Sequence, residues 1–218
     1  KNLLLFTGEA FWIGAVNEQY TPTLYKLAHS GFVFENFYNP LWYYSTVDGE
    51  YAATTGLIPT NQVNASQRYA GKNGVSMYFS MGNQLRALGY PTLAYHNNTA
   101  NYYDRNLSHP NLGYEAYHSG ESMGMESTQL DRYLIDGFDQ MTEADPFFSF
   151  IITYSAHGVY SDDNPVYLAH ADEAQAAAQR TDGNYVYAVA GAMETDLFIG
   201  ELMDKLEESG HLEDTVLI

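Results

Sequence analysis

At 218 residues with 45% hydrophobic side chains, the chain is long enough to bury a substantial core and lies within the range of a single domain. Its 27 acidic residues against 9 basic ones leave a formal charge of −18, which repels a polyphosphate backbone and argues against nucleic acid as a partner. The absence of cysteine excludes disulfides, thiolate metal sites and cysteine nucleophiles together, and fits either the cytosol or a Gram-positive cell exterior.

No run approaches the roughly 18 consecutive apolar residues of a membrane-spanning helix, and no signal-peptide pattern is present. Lys1 stands where an initiator Met would, and apolar runs open and close the chain, so the expectation is a piece of a longer protein. The 20 tyrosines and 11 phenylalanines suit either core packing or stacking on sugars and lipid headgroups, and composition does not separate these uses.

In chain order, Leu3 to Thr7 reads as a buried strand with Glu9 at its carboxyl end. Thr21-Pro22, the spacing of Leu24, Leu27 and Ala28, and Gly31 predict a short helix. Phe32 to Phe37 alternates apolar and polar as a strand does. Asp48 to Thr55 reads as a helix stopped by Gly56, with Ser45 and Thr46 at its N-terminus. Ser76 to Leu88 predicts a helix stopped by Gly89, and Pro91 to Tyr95 the strand after it. Glu126 to Met141 reads as an amphipathic helix. Pro146 to Thr153, apolar on both faces, reads as a central parallel strand. Asp182 to Ser209 is the longest helical pattern, and Thr215 to Ile218 opens a last strand. This helix-strand rhythm predicts an α/β fold, a three-layer α/β/α sandwich with a mostly parallel sheet, in which functional residues gather beyond the carboxyl ends of strands.

Thr46 is the strongest chemical candidate. A hydroxyl at a helix N-terminus meets the positive end of the helix dipole and unpaired N–H groups, which favour both an alkoxide and an incoming phosphate. Sulfatases carry their modified nucleophile nine residues before a Thr-Gly pair, in a C-x-P-x-R-x-x-x-x-T-G pattern, and Thr46 stands nine residues before Thr55-Gly56. The chain has Thr46, Asp48 and Glu50 where that pattern has Cys or Ser, Pro and Arg, which argues against sulfate ester hydrolysis. Thr46-Val47-Asp48-Gly49-Glu50 is instead similar to the lipoteichoic acid synthase branch of the alkaline phosphatase and sulfatase superfamily, and the resemblance extends over nearly the whole chain as one catalytic domain, residues 1–218.

That resemblance implies a divalent metal held by Glu9 and Thr46, with Mg²⁺ or Mn²⁺ suited to such oxygen ligands and Zn²⁺ also open. It implies that Tyr103 and Arg105, in the segment beginning at His96, hold a substrate phosphoglycerol, with His96 beside them. It implies that His157, after the central strand, is the substrate-side histidine that donates to a phosphoryl oxygen or protonates a leaving group. The family's remaining ligands, an Asp-His pair, would follow the strand that Thr215 opens, so the expectation is that these 218 residues alone bind metal weakly and turn over poorly. The implied activity is transfer of glycerol phosphate from a phospholipid headgroup to a cell-envelope glycerol phosphate polymer through a phospho-threonine, at the extracellular face of a bacterial membrane.

Each residue has a simpler use. Glu9 reads equally as a solvated loop residue, Thr46 as a helix cap, Arg105 as a surface partner of Asp104 or Glu115, and His157 as a satisfied turn residue. On the same fold, a phosphoethanolamine transferase, a phosphodiesterase or a sulfatase-like hydrolase is an alternative activity, and a non-catalytic phosphoglycerol-binding module is an alternative of another class.

Overall fold

The computed structural model describes residues 1–38, 45–59, 66–178 and 182–218. Five strands form one sheet: β1 (Asn2–Thr7), β2 (Thr92–His96), β3 (Ala116–Ser119), β4 (Phe148–Ile152) and β5 (Thr215–Leu217), in the order β3-β2-β4-β1-β5. All four pairings are parallel. Strand β4 lies in the centre with every residue buried, as its continuous apolar run requires.

The helices are α1 (Pro22–Ser30), α2 (Thr46–Thr55), α3 (Ser66–Asn73), α4 (Met81–Ala87), α5 (Arg105–Asn111), α6 (Phe138–Met141), α7 (Pro165–Ala178) and α8 (Gly183–Glu208). Successive strand residues point to opposite faces, and this alternation divides the core. Leu4, Tyr95 and Ile151 face Leu134, Phe198 and Leu202, from the α6 and α8 side. Leu5, Ala94, Phe148, Phe150 and Ile152 face Tyr51, Ala70, Met77 and Leu112, from the α2 to α5 side. The result is the expected α/β/α sandwich.

The register decides where the site lies. Thr7 and His96 both pair with Ile152, so β1, β4 and β2 end level. Glu9, the residues after His96 and the loop from Thr153 to His157 therefore leave the sheet at one edge. Helix α8 crosses close beneath that loop at Gly191, where an added Cβ would stand 2.7 Å from the Ala156 Cα. Only a residue without a side chain allows that approach.

Three expectations change. Phe32 to Phe37 forms no strand: a turn at residues 35–36 interrupts it, and Phe32, Phe34 and Phe37 are exposed. The helix expected from Ser76 starts only at Met81, because the Met77 N–H donates to Asn111 O and the Ser80 hydroxyl to Leu112 O. Glu126 to Met141 is not one helix but turns, a 3-10 segment (Asp131–Gly137) and the short α6. Its amphipathic pattern is overridden at Asp131, whose side chain turns inward. Helices α3, α5 and α7 and strand β3 were not expected. Tyr44 of the Thr46 segment lies outside the described residues.

Candidate active site

Beyond the sheet edge lies a cavity of about 160 Å³ lined by Glu9, His96, Tyr103, Arg105, Tyr154 and His157, with Asn98 and Tyr102 at its wall. Thr46 joins them by donating its hydroxyl hydrogen bond to Glu9 Oε1. All six residues singled out in the sequence are thus brought together, across separations of up to 148 positions.

Thr46 begins α2, and Asp48 fixes that start by accepting from the Ser45 N–H at 3.2 Å and the Ser45 hydroxyl at 3.1 Å. The capping work falls to Ser45 and Asp48, which leaves the Thr46 hydroxyl for Glu9. Glu9 is held by its own N–H donating to Thr153 Oγ1 at 3.2 Å. Burial raises the Glu9 pKa, against the lowering effect of Thr46, His157 and Arg105. The nearest ring nitrogen, His157 Nε2, is 3.8 Å away. A buried carboxylate joined to a hydroxyl is a hard-oxygen pair of the kind that Mg²⁺ or Mn²⁺ takes. Glu9 and Thr46 therefore fit as two ligands of a divalent ion; among the described residues no group of three or more His, Asp or Glu side chains completes such a site.

Arg105 is 1% exposed, which overturns its reading as a surface partner of Asp104 or Glu115. Its Nε donates to Glu50 Oε1 at 3.1 Å and Oε2 at 3.2 Å, with Nη2 also on Oε1. Burial would lower its pKa, but Glu50 outweighs that and keeps the guanidinium charged. Nη1 makes no well-formed hydrogen bond to a described residue, although the Tyr117 hydroxyl lies beside the guanidinium. Arg105 thus lines the cavity as a charged group held in place by Glu50. Glu50 also accepts from Gln67 Nε2 at 3.3 Å, and His109 lies 3.9 Å from it, kept neutral by a pKa that burial lowers to about 3.

Tyr103 covers this charge, its ring centroid 5.3 Å from the Arg105 guanidinium carbon and 5.8 Å from that of Arg68. Tyr103 and Asp104 both hold left-handed backbone, at φ 57° and 55°. Such strain costs on the order of 1–3 kcal/mol per residue and needs an anchor. Arg68 supplies it through Nε and Nη2, 2.8 and 2.6 Å from Asp104 Oδ2, with Lys72 Nζ at 3.0 Å.

His96 is buried and its Nδ1–H donates to Ile152 O at 2.9 Å. Burial and the nearby Arg105 push its pKa well down, so the ring is neutral and Nε2 is an acceptor. His157 is half exposed; its Nδ1 meets Gly158 O at 2.5 Å, and its ring stacks on Tyr154 at 5.4 Å. Beneath that loop, Asp131 accepts from Tyr154 N at 2.7 Å, Ser155 N at 3.2 Å, Thr195 Oγ1 at 2.8 Å and Asn97 Nδ2 at 3.0 Å. It ties the ends of β2 and β4 to α8. Sequence reading missed Glu50's pairing, Asp131 and Tyr154.

The whole chain, residues 1–218, matches the Sulfatase family. The chain belongs to that family. Among solved structures, the sulfatase-family chain is similar to the lipoteichoic acid synthase LtaP from Listeria monocytogenes, with 24% identity and a TM-score of 0.78 over 100% of this chain and 54% of that one. It is similar to a protein in the alkaline phosphatase superfamily from Vibrio parahaemolyticus, with 21% identity, TM-score 0.76, and coverage of 100% and 53%. It is similar also to the Streptococcus pyogenes phosphoglycerol transferase GacH solved with sn-glycerol-1-phosphate, with 14% identity, TM-score 0.61, and coverage of 95% and 58%. These likenesses show an alkaline phosphatase-like fold of the kind seen in LtaP. The chain spans about half the length of these relatives. No curated protein sequence matches it.

Proposed function

We propose that this sulfatase-family protein is a metal-dependent phosphotransferase that moves a glycerol phosphate group from a phospholipid to a cell-envelope glycerol phosphate polymer through a phospho-threonine at Thr46. The observation that carries this reading is the Thr46 hydroxyl at the head of α2, bonded to buried Glu9, which lines one cavity with Arg105 and His157. The likeness to a phosphoglycerol transferase solved with sn-glycerol-1-phosphate supports the headgroup.

Glu9 and Thr46 would hold the divalent ion, which when bound lowers the hydroxyl's pKa and offsets phosphoryl charge. Thr46 Oγ1 releases its proton to water and attacks phosphorus in line; its bond to phosphorus forms as the bond to the lipid alcohol oxygen breaks. Arg105, held by Glu50, orients the phosphoryl oxygens, and Tyr103 closes over the glycerol. His157 protonates the departing lipid alcohol. In the second half it takes the proton of the acceptor hydroxyl, whose oxygen bonds to phosphorus as Thr46 leaves and takes a proton back from water. His96, neutral, accepts from a glycerol hydroxyl. No helix among the described residues is long and apolar enough to cross a membrane. We place the domain at the extracellular face of a bacterial membrane, next to its lipid donor.

The test is product analysis of the full-length protein with phosphatidylglycerol, with Mn²⁺ and after chelation. Metal-dependent formation of diacylglycerol with glycerol phosphate joined to an alcohol acceptor supports the reading. Free glycerol phosphate alone points to a phosphodiesterase, and phosphoglycerol binding with no turnover to a binding module.

A further inference from the structure

Asp131 opens the 3-10 segment Asp131–Gly137, and its side chain is fully buried. A carboxylate is tolerated in the interior where donors meet its oxygens. Here Oδ1 accepts from the Tyr154 N–H at 2.7 Å, Asn97 Nδ2 at 3.0 Å and the Ser155 N–H at 3.2 Å, and Oδ2 accepts from the Thr195 hydroxyl at 2.8 Å. Ser155 grips the same residue from the other side: its hydroxyl accepts from the Asp131 N–H at 2.8 Å and donates to Gln129 O at 2.9 Å. An asparagine at this position keeps the shape, but must turn an NH₂ group toward the Thr195 hydroxyl or toward the peptide N–H groups.

Asp131 stands behind the cavity wall, and the groups it holds belong to that wall or adjoin it. Asn97 lies between His96 and Asn98, which both line the cavity, and Tyr154 lines it directly. His157 is tied to Tyr154 twice, by its N–H donating to Tyr154 O at 2.9 Å and by the stacking of the two rings with 12° between their planes. A displaced Tyr154 peptide therefore carries the His157 imidazole with it. A misplacement of about 1 Å at a reacting group is worth about 100-fold in rate.

We infer that Asp131 is a positioning residue for the phosphotransfer: it fixes the Tyr154 peptide, and through Tyr154 the His157 imidazole, without touching substrate. The inference rests on the function proposed above and adds to it a residue whose effect on rate runs through His157. Arg105 is anchored separately by Glu50, and the turn that carries Tyr103 by Arg68. The effect of Asp131 therefore falls on turnover more than on headgroup binding.

The experiment measures three properties of the full-length protein: kcat for diacylglycerol release from phosphatidylglycerol with Mn²⁺, affinity for sn-glycerol-1-phosphate, and the His157 ring signals in NMR spectra, assigned by their loss in His157→Ala. It is run at about pH 8, where Asp131 is ionised because burial raises its pKa only to about 6. Expected for Asp131→Asn are a kcat about tenfold or more below the parent, affinity within about threefold, and shifted His157 signals. In a His157→Ala background the same substitution changes kcat by less than about twofold, because the group it acts through is gone. Thr195→Val removes the α8 donor alone; it gives the same pattern at about threefold, and decides the matter if Asp131→Asn does not fold. Equal kcat losses with and without His157, or unmoved His157 signals, show a contribution to stability alone and overturn the positioning role. A parent without metal-dependent release overturns the phosphotransferase reading instead, and the His157 signals still decide whether Asp131 holds the ring.

Discussion

Arg105 can remain charged in the interior because Glu50 faces it with two oxygens, and the side chain so held lines the cavity. Glu50→Gln removes the counter-charge and leaves the cation buried, so we expect a loss of about 3–5 kcal/mol in urea unfolding. The double variant Glu50→Gln/Arg105→Met removes both charges and should recover most of that stability while sn-glycerol-1-phosphate binding stays lost. A single variant as stable as the parent would show that the pair is not the buried anchor described here. Thr46 was legible in the sequence through its nine-residue spacing to Thr55-Gly56, whereas Glu9, Arg105 and His157 were legible through the family resemblance, each being an ordinary loop residue on its own pattern. The sequence did not reveal what Glu50 faces: its partner is 55 positions away and α5, which carries it, has no strong helical pattern. Asp131 was equally hidden, since an aspartate on an amphipathic pattern reads as a solvated face until the loop it organises is in place.

At the level of elements, two local devices aim the site. The first is the anchored turn before α5, in which α3 grips Asp104 and so holds Tyr103 in left-handed backbone. Arg68→Ala removes the main grip, and sn-glycerol-1-phosphate affinity should fall about fivefold with little change in melting temperature, as read by calorimetric titration and thermal unfolding. Unchanged affinity would mean that the turn holds itself. The second is the close crossing of α8 at Gly191. Gly191→Ala places a methyl against the backbone of Ala156, with an expected cost of about 1–3 kcal/mol and a shift of the His157 ring resonances in NMR spectra. The long α8 and the central β4 were legible because their apolar patterns are long and bounded by clear stops. The expected strand at Phe32 to Phe37 failed because alternation specifies a face and not a neighbour to pair with, and none of the five strands among the described residues pairs with it. Strand β3 is only four residues, too short for its pattern to stand out, and Ala-rich α7 lacks a distinct apolar stripe.

Across the whole molecule, the −18 charge makes acid response a readable property. Burial would raise Glu194, but the hydrogen bonds from Arg132 and His170 outweigh it and hold its pKa at about 2, below the ordinary 4.5. A carboxylate depressed in the fold contributes stability that is present above about pH 4.5 and lost as pH falls toward 2, here on the order of 3 kcal/mol. Asp131 has the opposite sign: burial raises it from 3.8 to about 6 despite its hydrogen-bond donors, so it adds stability as pH falls between those values. Urea midpoints across pH should therefore hold or rise from 6 toward 4.5 and then drop steeply, and Glu194→Gln should flatten the drop. A steady fall from pH 6 downward would contradict these assignments.

Covalent phosphorylation of Thr46 by a phosphodiester donor can be read by intact-protein mass spectrometry of the full-length protein after incubation with Mn²⁺ and phosphatidylglycerol, beside Thr46→Ala. The expected result is a glycerol phosphate adduct on the parent, mapped to Thr46 and absent from the variant. An adduct that persists in Thr46→Ala, or turnover of the donor by that variant at the parent rate, would contradict it.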